Sequence, residues 1–126
     1  MEPIYSAETY DCPGITFDKE KGIFEITGRS LPEDVYAFYE PIITWMTEYA
    51  KEPNPETRFD FKFIYFNTAS SKIVLDILTV LEEMKENGHK VLVRWYYLKE
   101  DEDMQEAGEE YSEMVDLPFE LIQYQR

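Results

Sequence analysis

The stretch Asn67-Thr68-Ala69-Ser70-Ser71 sets three hydroxyls beside a carboxamide within five residues, and two kinds of chemistry are open to it. Side-chain oxygens of these types accept hydrogen bonds from the free N–H groups that begin a helix, a capping contribution of roughly 0.5–2 kcal/mol. One residue suffices for that, and four candidates stand together. The other chemistry is covalent: one hydroxyl can serve as a phosphoacceptor, gaining a charge of about −1.5 to −2. A helix N-terminus would stabilise that charge by only about 0.3–1 kcal/mol. The fold could carry the phosphate, but a partner packed over the hinge would have to desolvate a dianion. From the residues alone, both readings stand.

No constellation for catalysis accompanies the hinge. The sequence has no Walker A loop, no G-x-G-x-x-G, no G-x-S-x-G and no H-E-x-x-H. His89 and Cys12 are each the only residue of their type, and nothing in their spacing pairs them. His89 falls in a Gly-His-Lys turn. A metal site would have to be built from carboxylates, with Asp101, Asp103 and Glu106 the nearest set. Those three read more simply as acid complementing a helix N-terminus. No metal or other cofactor is expected, and a small carboxylate-dependent hydrolase is kept as an alternative function.

The elements that must position the hinge follow from periodicity. Phe59, Phe61, Phe63 and Tyr65 recur at every second residue, so they share one face of a strand, and Ile64 and Phe66 make the second face apolar as well. From Lys72 the period becomes helical: Val74, Ile77, Leu78, Leu81 and Lys85 line one face, widened by Ile73, Val80 and Met84, until Asn87-Gly88 stops it. Upstream, residues 1–14 show no sustained period and read as an irregular arm. Ile15–Asp18 and Ile23–Thr27 form a hairpin about Lys19–Gly22, and Gly28–Pro32 breaks it. Glu33 or Asp34 opens a helix with Val35, Phe38, Tyr39, Ile42, Met46 and Tyr49 on its apolar stripe. Pro41 inside that run should kink or restart it.

Downstream, Val91–Tyr97 is a strand, Glu100–Val115 a helix and Phe119–Tyr124 a last strand. The order β-β-α-β-α-β-α-β predicts one α/β domain over 1–126. Its single mixed sheet carries helices on right-handed crossovers.

Composition narrows the partners. Twenty-seven acids against twelve bases leave a formal charge of −15, which repels nucleic-acid phosphates and anionic membrane surfaces. Between Glu100 and Gln125 stand ten Asp/Glu and no Lys or Arg, a solvated face or a means of steering toward a basic partner. One cysteine excludes an intramolecular disulfide and suits the cytoplasm. Met1-Glu2-Pro3 opens no signal peptide, and the apolar runs fall far short of the roughly 20 residues of a membrane span.

Three stretches also carry a family likeness: Tyr65-Phe66-Asn67-Thr68-Ala69-Ser70-Ser71-Lys72; Asp76-Ile77-Leu78 with Leu81-Glu82-Glu83; and Val93-Arg94-Trp95-Tyr96-Tyr97. Over nearly its whole length, with Leu117-Pro118-Phe119 in place, the chain resembles the SiaC family of bacterial regulatory phosphoproteins. The resemblance implies a STAS-like fold, similar to anti-sigma-factor antagonists, and no enzymatic activity. It places the phosphorylated threonine at Thr68, with Asn67, Ser70 and Ser71 as hinge and cap residues. It further implies a dedicated protein kinase, a metal-dependent Ser/Thr phosphatase that reverses it, and a diguanylate cyclase bound and activated by the unmodified protein. Cyclic di-GMP and biofilm formation are the expected output. Lys72, Arg94, Trp95 and Tyr97 are the candidate partner-binding residues. Ordinary STAS antagonists place a serine in a D-S-x-G-like turn; this hinge has neither that Asp nor that Gly, so an anti-sigma-factor antagonist is only the alternative.

Overall fold

The computed structural model describes every residue from Met1 to Arg126. In chain order the elements are β1 (Ile4–Ser6), β2 (Gly14–Asp18), β3 (Ile23–Ser30), α1 (Val35–Tyr49), β4 (Glu56–Phe66), α2 (Thr68–Glu86), β5 (Lys90–Leu98), α3 (Glu102–Met114) and β6 (Phe119–Tyr124). All six strands join one sheet in the order β1-β2-β3-β4-β5-β6. The first three pair antiparallel, and β3 to β6 pair parallel. Each parallel step is bridged by one helix. Crossovers of one hand that keep stepping in one direction deliver their helices to one side of the sheet, so three helices cover one face and leave the other open. Between sheet and helices lies one cluster of 25 buried apolar residues.

The α/β class and the mixed sheet agree with the sequence reading, and several local expectations are corrected. Residues 1–14 are not wholly irregular, because β1 pairs with β2 through Ile4↔Phe17, Tyr5↔Thr16 and Ser6↔Ile15. Three residues are too short to show a period, and the neighbouring strand supplies the order. Gly28 does not break its strand; β3 runs on to Ser30, with Gly28 at φ +87°. Nor does Pro41 restart its helix, since α1 is continuous from Val35 to Tyr49. Asp34 caps it, its Oδ1 accepting from Ala37 N–H at 3.1 Å.

The strand β4 departs most from its pattern. Gly28 stands opposite Phe63, but the next residue, Arg29, stands opposite Tyr65. Ile64 is therefore an extra residue, a bulge that reverses the alternation beyond it. Phe59, Phe61 and Phe63 are at most 1% exposed, whereas Tyr65 is 49% exposed. Phe66 turns inward in its place, 5.1 Å from Phe63 and 6.3 Å from Trp95 between ring centroids. The second face is not an apolar buried face either. No helix covers it, and Asp60 there takes both Nε (2.6 Å) and Nη2 (2.9 Å) of Arg94.

Candidate functional site

The bulge brings the chain to the hinge with Phe66 anchored in the core and one residue, Asn67, between strand and helix. Asn67 N–H donates to the Ser30 carbonyl at 3.2 Å, fixing the hinge to the end of β3. Asn67 Oδ1 accepts from Ser70 N–H at 2.8 Å, and its carbonyl accepts from Ser71 N–H at 3.0 Å. Asn67 is therefore the helix cap. The helix begins at Thr68, a turn earlier than the apolar period suggested, because a first turn with one face on solvent carries little hydrophobic signal.

The serines expected as caps have other work. Ser70 is fully buried. Its Oγ donates to the Ser30 carbonyl at 3.0 Å and accepts from Ser30 Oγ at 2.9 Å. Ser30 Oγ also lies 2.6 Å from the Tyr39 hydroxyl. This closed set ties β3, α1 and α2 together, and burial pushes the Tyr39 phenol up to about 12. Ser71 Oγ donates to the Thr68 carbonyl at 2.6 Å, inside the first turn.

Thr68 differs from both. It is exposed as the first residue of the helix, and its hydroxyl takes no part in the hydrogen bonds that hold the hinge. The N–H groups of Thr68 and Ala69 have no partner in the chain, the first turn holds no acid, and the cap is a neutral amide. The positive end of the α2 dipole is thus uncompensated. Lys72, also exposed, stands one turn along from Thr68.

Beside this turn, α2 and α3 enclose a groove of about 300 Å³, floored by Phe66, Leu75, Ala107, Tyr111 and Met114 and edged by Lys72 and Glu110. The Tyr111 hydroxyl donates to the Ser71 carbonyl at 2.8 Å and so fixes α3 against the hinge. Burial pushes this phenol, too, up to about 12.

The other candidate residues lie elsewhere. Trp95 is completely buried, its Nε1 donating to the Met104 carbonyl at 2.9 Å, so it anchors α3 and presents nothing to a partner. Gly108 is its complement: a side chain there would collide with the Trp95 ring and Leu121. Arg94 is held by Asp60 on the open sheet face, away from the helices, and that pairing raises its pKa. Tyr97 is half-buried against the core. Asp101 caps α3, accepting from Met104 N–H at 3.1 Å, and no group of three or more His, Cys, Asp or Glu converges anywhere in the chain. Ser30, Tyr39 and Tyr111 were missed from sequence. Nothing in a hairpin end or an apolar stripe marks a hydroxyl as aimed at a hinge tens of residues away.

Comparison with known proteins bears on this arrangement. The family model of the SiaC family regulatory phosphoprotein matches residues 6–124. An uncharacterized protein of Pseudomonas aeruginosa strain UCBPP-PA14 is 31% identical over 121 residues, 96% of either chain. The structure of SiaC of Pseudomonas aeruginosa superposes with a TM-score of 0.90 at 29% identity, covering 98% of this chain and 100% of that one. SiaC also appears as the activator of the diguanylate cyclase SiaD in a crystal structure of their complex, from the same organism. That structure matches with a TM-score of 0.90 at 30% identity, covering 96% of this chain and 99% of the other.

Proposed function

The chain belongs to the SiaC family of regulatory phosphoproteins, and from that premise we propose that it is a phosphorylation-controlled activator of a diguanylate cyclase. Unmodified, it binds the cyclase and raises its output. A protein kinase that phosphorylates Thr68 blocks binding, and a Ser/Thr phosphatase restores it. The protein contributes no catalysis of its own. We place it in the cytoplasm; none of its helices is long and apolar enough to cross a membrane.

The observation that carries this reading is the contrast among the hinge hydroxyls. Ser70 is fully buried and doubly bonded, and Ser71 is turned back on its own helix. Thr68 alone is exposed without a structural task. A phosphate there breaks no hydrogen bond of the fold and meets an uncompensated helix end. Its effect falls on whatever packs over the hinge, through bulk and the desolvation of charge.

Incubating the protein with its kinase and ATP, then measuring intact mass with site mapping, tests the assignment. A single phosphate on Thr68, removed by the phosphatase, is expected. A phosphate on Ser71, or none, would overturn the acceptor.

A further inference from the structure

The sheet face opposite the helices has its own pattern of charge and apolar surface. There β5 and β6 set Leu92, Tyr96 and Leu98 beside Ile122 and Tyr124, with Tyr96 opposite Ile122 and Leu98 opposite Tyr124 in register. All five are only partly buried. The Tyr96 and Tyr124 rings lie 5.5 Å apart, and Lys62 Nζ is 4.8 Å from the Tyr96 ring. Around this patch the charges come in pairs within the chain: Lys62 with Glu25 at 3.4 Å, Arg94 with Asp60 at 2.6 Å, and Arg126 with Glu8. The helices are the reverse. They hold two acids on α1, four on α2 and six on α3, against two lysines, both on α2. The net charge of −15 is thus carried mostly on the helix side, and the open face is close to neutral with an apolar centre. Parallel strands, as β3 to β6 are, are generally covered on both faces.

We propose that the open face is where two copies of this chain associate, packing sheet on sheet about a twofold axis. The patch around Tyr96, Ile122 and Tyr124 of one copy lies on the same patch of the other. This association goes beyond the action on a cyclase and is separate from Thr68. Charge chooses the occupant. A face that has paired its own ions gives no charge by which to draw a basic or an acidic partner, so it is matched by a surface equally neutral and equally apolar at its centre. A twofold axis supplies one by setting the face against itself. The ion pairs enter the interface already compensated, so no lone charge is buried. Copies meeting through their helices would instead oppose acid to acid. Area sets the strength. Six strands about 4.8 Å apart, averaging about seven residues of about 3.3 Å, make a face of roughly 650 Å². The N-terminal arm takes the corner where Glu8 accepts from the Thr27 hydroxyl at 2.9 Å. What remains falls below the about 800 Å² per partner of a standard interface, so the dimer is a weak one, dissociating at about 10–100 µM.

Sedimentation equilibrium of the full chain from about 1 to about 500 µM tests the proposal, and wild-type protein should pass from monomer to dimer across that range. Ile122→Asp and Leu92→Asp each place a charge in the patch and should weaken association at least about tenfold. Tyr36→Asp, at a side chain 64% exposed on α1, should leave it unchanged. Thermal melts check the fold of each variant. A dilution series of wild-type amide spectra needs no substitution: the shifts should fall on β4 to β6 and spare α2 and α3. Association should tighten as salt rises from about 50 to about 300 mM, because screening weakens the repulsion between the two acidic bodies while the ion pairs are internal to each chain. A monomer at every concentration would overturn the proposal. So would a dimer that salt dissociates, one that both Ile122→Asp and Leu92→Asp leave intact, or dilution shifts confined to the helices. None of these results would touch the assignment of Thr68 or of the cyclase.

Discussion

Two strand-to-helix junctions at the same edge of the sheet use the same capping bond and differ in the charge placed on it. At the β5–α3 junction, Asp101 accepts from Met104 N–H at 3.1 Å, and Glu102 and Asp103 add acid to the first turn. At the β4–α2 junction, Asn67 accepts from Ser70 N–H at 2.8 Å, and no acid follows. The bond satisfies one free N–H in either case, but the charge differs. The helix end of α3 is already compensated, so a phosphate there would meet carboxylates. That of α2 is left positive, with an unengaged threonine as its first residue. The two junctions share a local shape and differ in the cap's charge and in the freedom of the neighbouring hydroxyl.

The junctions also differ beneath the surface. Behind α3's first turn lies apolar Met104. Behind that of α2 lies a closed hydroxyl set of Ser30, Tyr39 and Ser70, which holds the hinge in place whatever happens to Thr68.

The largest effect should come from charge placed at the uncompensated junction. Thr68→Glu should lower affinity for the cyclase at least about thirtyfold, roughly 2 kcal/mol, with the melting temperature unchanged. Thr68→Ala should bind as the wild type does. Equal calorimetric affinities for the two variants would move the switch away from the hinge.

Next in size is the buried set. Ser70→Val removes the hydroxyl that bonds both the Ser30 carbonyl and Ser30 Oγ, leaving Ser30 Oγ to Tyr39 alone, which should destabilise the fold by about 1–3 kcal/mol in denaturant titration. Ser71→Ala, one residue on, should stay within about 0.5 kcal/mol. Similar losses at the two serines would remove the distinction drawn between them.

A pH series probes the buried phenols at and behind the hinge. Tyr39, linked to the hinge through Ser30, and Tyr111, bonded to it directly, have phenols raised from 10.0 to about 12, chiefly by burial. The folded chain therefore keeps two protons that the unfolded chain gives up. Their contribution is complete below pH 10 and is lost as pH rises toward 12. Melting temperature should fall across that window, and Tyr111→Phe should make the fall shallower.

The smallest change exchanges one junction's chemistry for the other's. Asn67→Asp keeps the capping oxygen and adds the compensating charge that α3 already has. It should stabilise the unmodified protein by about 0.3–1 kcal/mol at low salt and make the Thr68-phosphorylated form less stable than that of the wild type. A stabilisation equal in both forms would mean that the α2 helix end plays no part in accepting the phosphate.

Much of this was legible in short stretches of sequence. The apolar spacing from Val74 to Leu81 marks α2, the β-branched and aromatic run at Val91–Tyr97 marks β5, and Asn67–Ser71 between strand and helix marks the hinge. Each is a property of neighbouring residues, set by the two- and 3.6-residue periods and by the need to cap free N–H groups. The order of the elements predicted the mixed sheet, and the likeness of these same stretches to a known family singled out Thr68.

Other features depended on partners distant in the chain. Period two put Tyr65 in the core, but the bulge opposite Gly28 and Arg29 turned it out and brought Phe66 in. Trp95 looked available for binding until α3 closed over it at Gly108. Three hydroxyls of similar chemistry became a buried strut, a local turn bond and an exposed, unengaged side chain only when β3, α1 and α3 packed around the hinge. Periodicity reports which side of an element is apolar. Which polar side chains that side buries, and which it leaves free to react, is set by the elements that come to lie against it.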